Sequence, residues 1–170
     1  MIIEDEPMKK LISLIVLLCM IFTLAGCGEK SNPPSDFEYV VTYDKNLEEG
    51  VTYTGIRITK YIGKSDIVVV PEKIEGLDVT SIGVSAFWST KIQSVTIPAS
   101  VTQIETMAFY NCENLKSAKF LGNAPHSIVL DAFKYTHKDF KIYYKKGTEG
   151  WDSDDKYNSP IVDAYPTEEF

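Results

Sequence analysis

Residues 95–117 read VTIPASVTQIETMAFYNCENLKS, and this stretch of 23 residues decides the fold because its pattern recurs on both sides. In each unit a Val/Ile-rich strand is followed by a Val-x-x-Ile segment, in which the chain turns back, and then by an Ala-Phe pair. A third, more degenerate unit lies at about residues 118–140. The Ala-Phe pairs stand at Ala86-Phe87, Ala108-Phe109 and Ala132-Phe133. A repeat of roughly 20 to 50 residues is typical of solenoids, in which each unit adds one coil to a stack.

The alternation of side chains within each unit predicts mainly β structure. Val95 and Ile97 point to one face of their strand, Val101 and Ile104 begin the return, and Leu115 closes the coil. One coil cannot bury its own apolar stripe, so stacking is required. The sequence therefore predicts a right-handed β solenoid with few short helical turns.

The Ala-Phe pair of each unit is expected to turn a corner of the coil on a short helical stretch. Thr102 and Glu105 have the spacing of a capping box for that stretch. Because the units are stacked, Phe87, Phe109 and Phe133 should form one internal column of rings.

The combination of Val-Thr-Ile-Pro, Ser-Val-Thr-x-Ile and Ala-Phe-x-x-Cys-x-x-Leu resembles the BspA-type leucine-rich repeat of bacterial surface proteins, over roughly residues 37–151. The first copy carries an insertion at residues 72–78, and the third lacks the proline and the cysteine. The resemblance implies that Cys112 faces inward beside Leu115. It also implies binding to host or matrix proteins, or to neighbouring cells.

Both ends of such a stack need covers, because an open coil leaves unpaired backbone groups. Residues 37–41 and 55–61 predict a hairpin within an N-terminal capping region at 37–66. The repeats then occupy residues 67–151, with residues 140–144 as the last strand. In the family that this sequence resembles, a Gly-x-x-Gly-Trp segment often ends the array, so Trp151 is expected to be a cap rather than a ligand platform.

The start of the chain predicts export. Residues 11–24 form an apolar run preceded by Lys9-Lys10, which is the order of a secretory signal. The sequence Leu24-Ala25-Gly26-Cys27 resembles a bacterial lipobox. The resemblance implies cleavage after residue 26 and a diacylglyceryl group on Cys27, which would anchor the protein to the cell membrane, facing outside.

The segment that follows Cys27 completes this organisation. Residues 27–36 predict a lipidated cysteine and a flexible tether. Since residues 1–7 carry three acids, Met8 is expected to be the true start. Cys112 is then the one cysteine left, so no internal disulfide can form. The mature chain is acidic, which disfavours nucleic acid as a partner.

Motifs for catalysis and metal binding fail on inspection. Gly63-Lys64-Ser65 lacks the partner glycine of a phosphate-binding loop, since Ile58 stands at that position. The acidic run at residues 152–155 lacks the glycine of a calcium loop. His126 and His137 have no metal-ligand spacing around them. We therefore expect no enzyme activity, no metal and no cofactor apart from the lipid on Cys27.

Two features suggest ligand contacts. Trp88 and Tyr110 each follow a corner phenylalanine and should come into register on the outside, with Tyr135 nearby, although they could merely cover the corners. Lysines are concentrated in residues 115–146, where Lys119 and Lys141 are candidate contacts. The tail at residues 152–170 is acidic. Either this tail folds back on the basic coil, or that coil meets an anionic polymer or protein.

The predicted function is protein or glycan binding, or adhesion, by a monomeric module held at the cell surface. The alternative is a structural or assembly component of the cell envelope without a separate ligand. Self-association without ligand would favour the alternative. A hydrolase acting on a wall polymer is the class that the sequence supports least.

Overall fold

The computed structural model describes residues 29–46, 50–129, 131–151 and 165–170. The chain divides into the units Met1–Lys30 and Ser31–Phe170, and the second unit holds the fold. The predicted export segment, the predicted lipobox with Cys27 and most of the acidic tail lie outside the described residues. Within the described part, no helix is long and apolar enough to span a membrane.

Eleven short strands of the described chain build two sheets, preceded by a 3₁₀ turn at Pro34–Asp36. Sheet A has the order β1-β2-β5-β7-β9, with β4 paired to β5, and sheet B has the order β11-β10-β8-β6-β3. The strands are β1 Phe37–Asn46, β2 Gly50–Tyr61, β3 Ile67–Val69, β4 Lys73–Ile74, β5 Leu77–Ile82, β6 Ser94–Ile97, β7 Gln103–Ile104, β8 Ser117–Phe120, β9 Ser127–Ile128, β10 Lys141–Tyr144 and β11 Thr167–Glu169.

Each repeat contributes one strand to sheet B and the next strand to sheet A, so the chain winds as a β solenoid of about four turns. The strands of successive coils are parallel. Equivalent positions stack in register and are buried, as in the row of Ile58, Ile82, Ile104 and Ile128. The predicted fold class is confirmed, and the periodic isoleucines explain it because they face the shared core.

The third side of each coil, which we call the corner side, consists of turns instead of the expected helical stretch. Ser85, Ser89, Met107, Asn111 and Tyr135 have positive φ angles of 55° to 60°, which interrupt a right-handed helix. Backbone hydrogen bonds then run between coils. They include Phe87 N to Ala108 O at 2.7 Å and Phe109 N to Ala132 O at 2.8 Å.

Glu105 does not act as a helix cap. Its carboxylate accepts a hydrogen bond from Val84 N at 3.1 Å and lies 3.5 Å from Arg57 Nη1, so it reaches preceding coils. The capping box expected from Thr102 and Glu105 is therefore replaced by a contact between coils.

An unbroken column of aromatic rings fills the core beneath the corner side. The ring centres of Phe87 and Phe109 are 4.7 Å apart, and those of Phe109 and Phe133 are 4.9 Å apart, all three being buried. The predicted column is confirmed. It also extends to Tyr61 at one end and to Phe140 at the other.

The N-terminal end of the stack is covered by the predicted hairpin, in which β1 pairs antiparallel with β2. Gly55 has a φ of +146°, and a Cβ there would lie 2.6 Å from Thr80 Cγ2, so glycine lets the hairpin approach the next coil. The tether expected at residues 27–36 is fixed from Asn32 onward. Asn32 N donates to Val69 O, and its side-chain oxygen accepts from Val69 N, both at 2.8 Å.

The C-terminal end has two covers where one was expected. Trp151 is buried, stacks on Tyr144 at 5.2 Å and donates from Nε1 to Gly122 O at 3.3 Å, which is the contact of a cap. Strand β10 is not the last strand, however, because β11 pairs in parallel along it. Part of the acidic tail thus folds back on the basic coil.

Candidate binding surface

The corner side carries a group of outward-facing side chains that we call the corner face, defined by Val84, Trp88, Met107, Tyr110, Lys134 and Tyr135. All are exposed except Tyr110, which is half-buried. Within these turns each corner phenylalanine points inward, so the following residue points outward. Trp88 is 60% exposed, and Val84 and Tyr135 are exposed almost as much. Apolar groups of this size left in water at neighbouring positions are typical of interaction sites.

Register between coils brings Tyr110 and Tyr135 of the corner face together. Ser89 N donates to Tyr110 O at 3.0 Å, and Asn111 N donates to Lys134 O at 2.9 Å, so successive corners stay aligned. The rings of Tyr110 and Tyr135 meet edge to face at 5.0 Å. The predicted neighbours Tyr110 and Tyr135 are therefore in contact.

The electrostatics of this face come from a few groups. Lys134 Nζ lies 5.3 Å from the centre of the Tyr135 ring, which is cation–π distance. The pKa of Tyr110 is raised above its ordinary value, first by desolvation and then by the adjacent Tyr135. The face thus combines a neutral aromatic surface with one cation.

The corner face is rigid because its support is buried and hydrogen-bonded. The aromatic column lies directly beneath it, and Asn111 Nδ2 donates to Ser89 Oγ at 2.7 Å between the coils. Binding to such a surface loses little conformational entropy, because the backbone is already ordered.

Cys112 belongs to the support of this face, not to a reactive site. It is fully buried, its Sγ donates to Phe87 O at 2.9 Å, and it lies 3.3 Å from Thr90 Oγ1. Burial raises the pKa of the thiol, which keeps it protonated and unreactive. Leu115 is buried in the same cluster.

Two depressions lie on the surface of the solenoid. One of about 430 Å³ lies between the loop at residues 63–66 and residues 89–92, with Tyr61 donating to Ser65 O at its base. The other, of about 420 Å³, lies over sheet A and is lined mainly by Thr and Ser, together with Arg57 and Glu105. Their lining gives no nucleophile paired with a base.

The histidines occupy loops. Asp139 N donates to His137 Nδ1 at 3.1 Å, and His126 is exposed. Among the residues that the structure describes, no three His, Cys, Asp or Glu side chains are grouped so that they could hold a metal ion.

The two lysines predicted as ligand contacts lie on sheet B, away from the corner face. Lys141 on β10 forms an ion pair with Glu168 at 2.7 Å, and Lys119 Nζ on β8 lies 4.8 Å from the ring centre of Phe170. The sequence named them as a second feature, based on charge and separate from the aromatic residues. The alternation of side chains along β8 and β10 could have separated the two faces.

A match to a known repeat family agrees with this architecture. Residues 68–152 match the family model described as BspA type Leucine rich repeat region, in six copies. A Leucine Rich Repeat protein of T. pallidum is 26% identical, with a TM-score of 0.49 over 68% of this chain and 53% of that one. This chain therefore spans about half the length of that protein.

A leucine rich cell surface protein from Faecalibacterium prausnitzii is 24% identical, with a TM-score of 0.43 over 72% of this chain and 28% of that one. No curated protein matches the chain.

Proposed function

This chain belongs to the BspA-type leucine-rich repeat family, and from that premise we propose that it is an exported, lipid-anchored surface protein whose repeat domain binds a partner through the corner face. The observation that carries the proposal is the pair of exposed aromatic residues, Trp88 and Tyr135, with the half-buried Tyr110 in contact with Tyr135, all on hydrogen-bonded corners over a buried core. Aromatic anchors of this kind dominate the energetics of many interfaces.

The composition of the corner face favours a protein partner over a glycan. Trp and Tyr could serve either ligand, but Val84 and Met107 are exposed beside them. Aliphatic and Met side chains with aromatic neighbours are typical of the desolvated core of protein interfaces. A glycan remains the other ligand class to be tested.

Surface location is supported by the sequence of the first 27 residues. An apolar run and a lipobox ending at Cys27 would place a diacylglyceryl group on the mature N-terminus. The similar Faecalibacterium prausnitzii protein is itself described as a cell surface protein.

The proposal is tested by binding of purified mature protein to envelope and matrix preparations. We compare wild type with the double variant Trp88→Ala, Tyr110→Ala. The matched control is Ile67→Ala on β3, whose side chain is 57% exposed on a different side. We expect the double variant to lose at least about tenfold in affinity, or about 1.4 kcal/mol, with unchanged unfolding, while the control binds normally.

Pretreatment of the target separates the ligand classes. Protease should abolish binding and periodate should leave it intact if the partner is a protein, and the reverse result would identify a glycan. Equal binding by wild type and double variant would refute the corner face. Concentration-dependent self-association in sedimentation without any target would favour the alternative function, an assembly component of the envelope.

A further inference from the structure

The C-terminal segment, residues 165–170 (YPTEEF), occupies the open edge of sheet B as a separate short strand. Thirteen residues along the chain separate it from Trp151. Strand β11 pairs in parallel with β10, Thr167 facing Ile142 and Glu169 facing Tyr144. Backbone bonds flank the pairing: Ile142 N donates to Pro166 O at 2.9 Å, and Phe170 N donates to Tyr144 O at 3.0 Å. The backbone hydrogen bonds of β10 therefore require the segment that pairs with it to be extended.

Side chains of the segment add specificity at both of its ends. The half-buried ring of Tyr165 meets Phe133 edge to face at 5.8 Å and Phe140 at 5.6 Å, and so closes the aromatic column. At the other end, Phe170 lies under Lys119. A ligand for this edge thus needs one aromatic residue for the end of the column and a second one five residues later.

Charge complements these contacts. Glu168 pairs with Lys141 at 2.7 Å, and Glu169 Oε1 lies 3.6 Å from Lys146 Nζ. The surrounding coil is basic, since residues 115–146 hold seven lysines and two aspartates besides neutral residues. The edge therefore discriminates in favour of acidic peptides.

The contact has the features of recognition of a short peptide. It uses one three-residue strand, one inserted ring and two exposed ion pairs, and the side chains of Glu168 and Phe170 are largely exposed. Without the segment, β10 would present an unpaired edge, which is a template for another strand.

We infer that the C-terminal end of the solenoid is a docking site for extended acidic peptides with the aromatic and glutamate spacing of YPTEEF, and that the chain's own segment occupies it as a built-in competitor. The site is separate from the corner face, so either proposal can fail alone.

The inference is tested with the synthetic peptide YPTEEF, labelled at its N-terminus, and a scrambled peptide of the same composition. A variant ending at residue 164 should bind YPTEEF saturably and lose affinity as salt rises. The full chain should bind it at least tenfold more weakly, because the tethered segment competes at a high effective concentration. The scrambled peptide should bind neither protein.

Charge exchange identifies the site. Lys141→Glu with Lys146→Glu in the shortened chain should weaken binding of YPTEEF at least tenfold and create binding of YPTKKF. The inference is overturned if the shortened chain folds but does not bind YPTEEF. It is also overturned if the full chain binds YPTEEF as tightly as the shortened chain does.

If the shortened chain does not fold, the full chain with Glu168→Lys and Glu169→Lys decides the question. These substitutions loosen the tethered segment but leave Tyr165 in place. The expected result is a gain of at least tenfold in affinity for YPTEEF over wild type, and no gain would refute the docking site.

Discussion

Truncation of Phe109 to Ala removes the central ring of the aromatic column. Phe109 has no exposed surface, and its ring stacks on Phe87 and Phe133 at 4.7 and 4.9 Å. An aromatic side chain buries roughly 150–250 Å², which at about 25 cal/mol per Å² amounts to roughly 4–6 kcal/mol in all. Since Ala retains part of this and a cavity remains, we expect a loss of about 3–5 kcal/mol.

The assay is urea unfolding of the mature domain followed by circular dichroism. A loss of this size is a large share of the roughly 5–15 kcal/mol available to a domain, so the midpoint should fall sharply. Tyr135→Ala is the matched control, because Tyr135 is 56% exposed on the same side of the stack. Since it loses only the edge-to-face contact with Tyr110 and the contact with Lys134, it should change stability by about 1.5 kcal/mol or less. A Phe109→Ala variant as stable as Tyr135→Ala would refute the stacked column.

Three further predictions concern the anchor, the coil contacts and pH. Cys27→Ala should move the protein from the membrane fraction to the soluble exported fraction, whereas Cys112→Ala should not; retention of the Cys27 variant on membranes would contradict lipidation. Gly122→Ala should cost about 1–3 kcal/mol, because a Cβ there would lie 2.6 Å from Ala99 Cα, and an unchanged melting temperature would count against that contact. The free energy of unfolding should fall as pH rises above about 8.5. Burial raises the pKa of Cys112, so in this range the folded state binds more protons than the unfolded state. If the dependence of stability on pH is the same in Cys112→Ala, this cause is excluded.

The solenoid and its core could be predicted because they rest on periodic residues. The spacing of the Ala-Phe pairs is enough to stack Phe87, Phe109 and Phe133, since equivalent positions in successive coils must coincide. The hairpin was predictable for a similar reason, because two segments with alternating side chains, residues 37–41 and 55–61, lie close together in the sequence. The prediction that Trp151 is a cap required the resemblance to a known family, because nothing in the local sequence distinguishes a cap from a ligand platform.

The remaining features depend on conformations and contacts that local sequence does not encode. Met107 and Asn111 adopt positive φ, although neither is glycine, and so convert an expected helical stretch into turns. Strand β11 has no hydrophobic period, and it forms because β10 offers an unpaired edge and lysines for Glu168 and Glu169. The position of Asn32 likewise depends on its hydrogen bonds to the edge of β3.

Within the candidate site, the sequence predicted which aromatic residues face outward but not which charges accompany them. Trp88 and Tyr110 follow buried phenylalanines, so their direction follows from alternation. Lys134 joins them through its position over Tyr135, whereas Lys119 and Lys141 face the C-terminal segment. Alternation along β8 and β10 separates Lys119 and Lys141 from the corner face, but their partners follow only from the positions of whole coils.

Crosslinking mass spectrometry on intact cells shows whether this protein contacts its partner through the corner face. Lys134 reports on the corner face, and Lys73 on β4 provides the comparison, since its side chain is also exposed. We expect crosslinks from Lys134 to another protein that disappear in the double variant Trp88→Ala, Tyr110→Ala. Intermolecular crosslinks confined to Lys73, or unchanged in that variant, would contradict it.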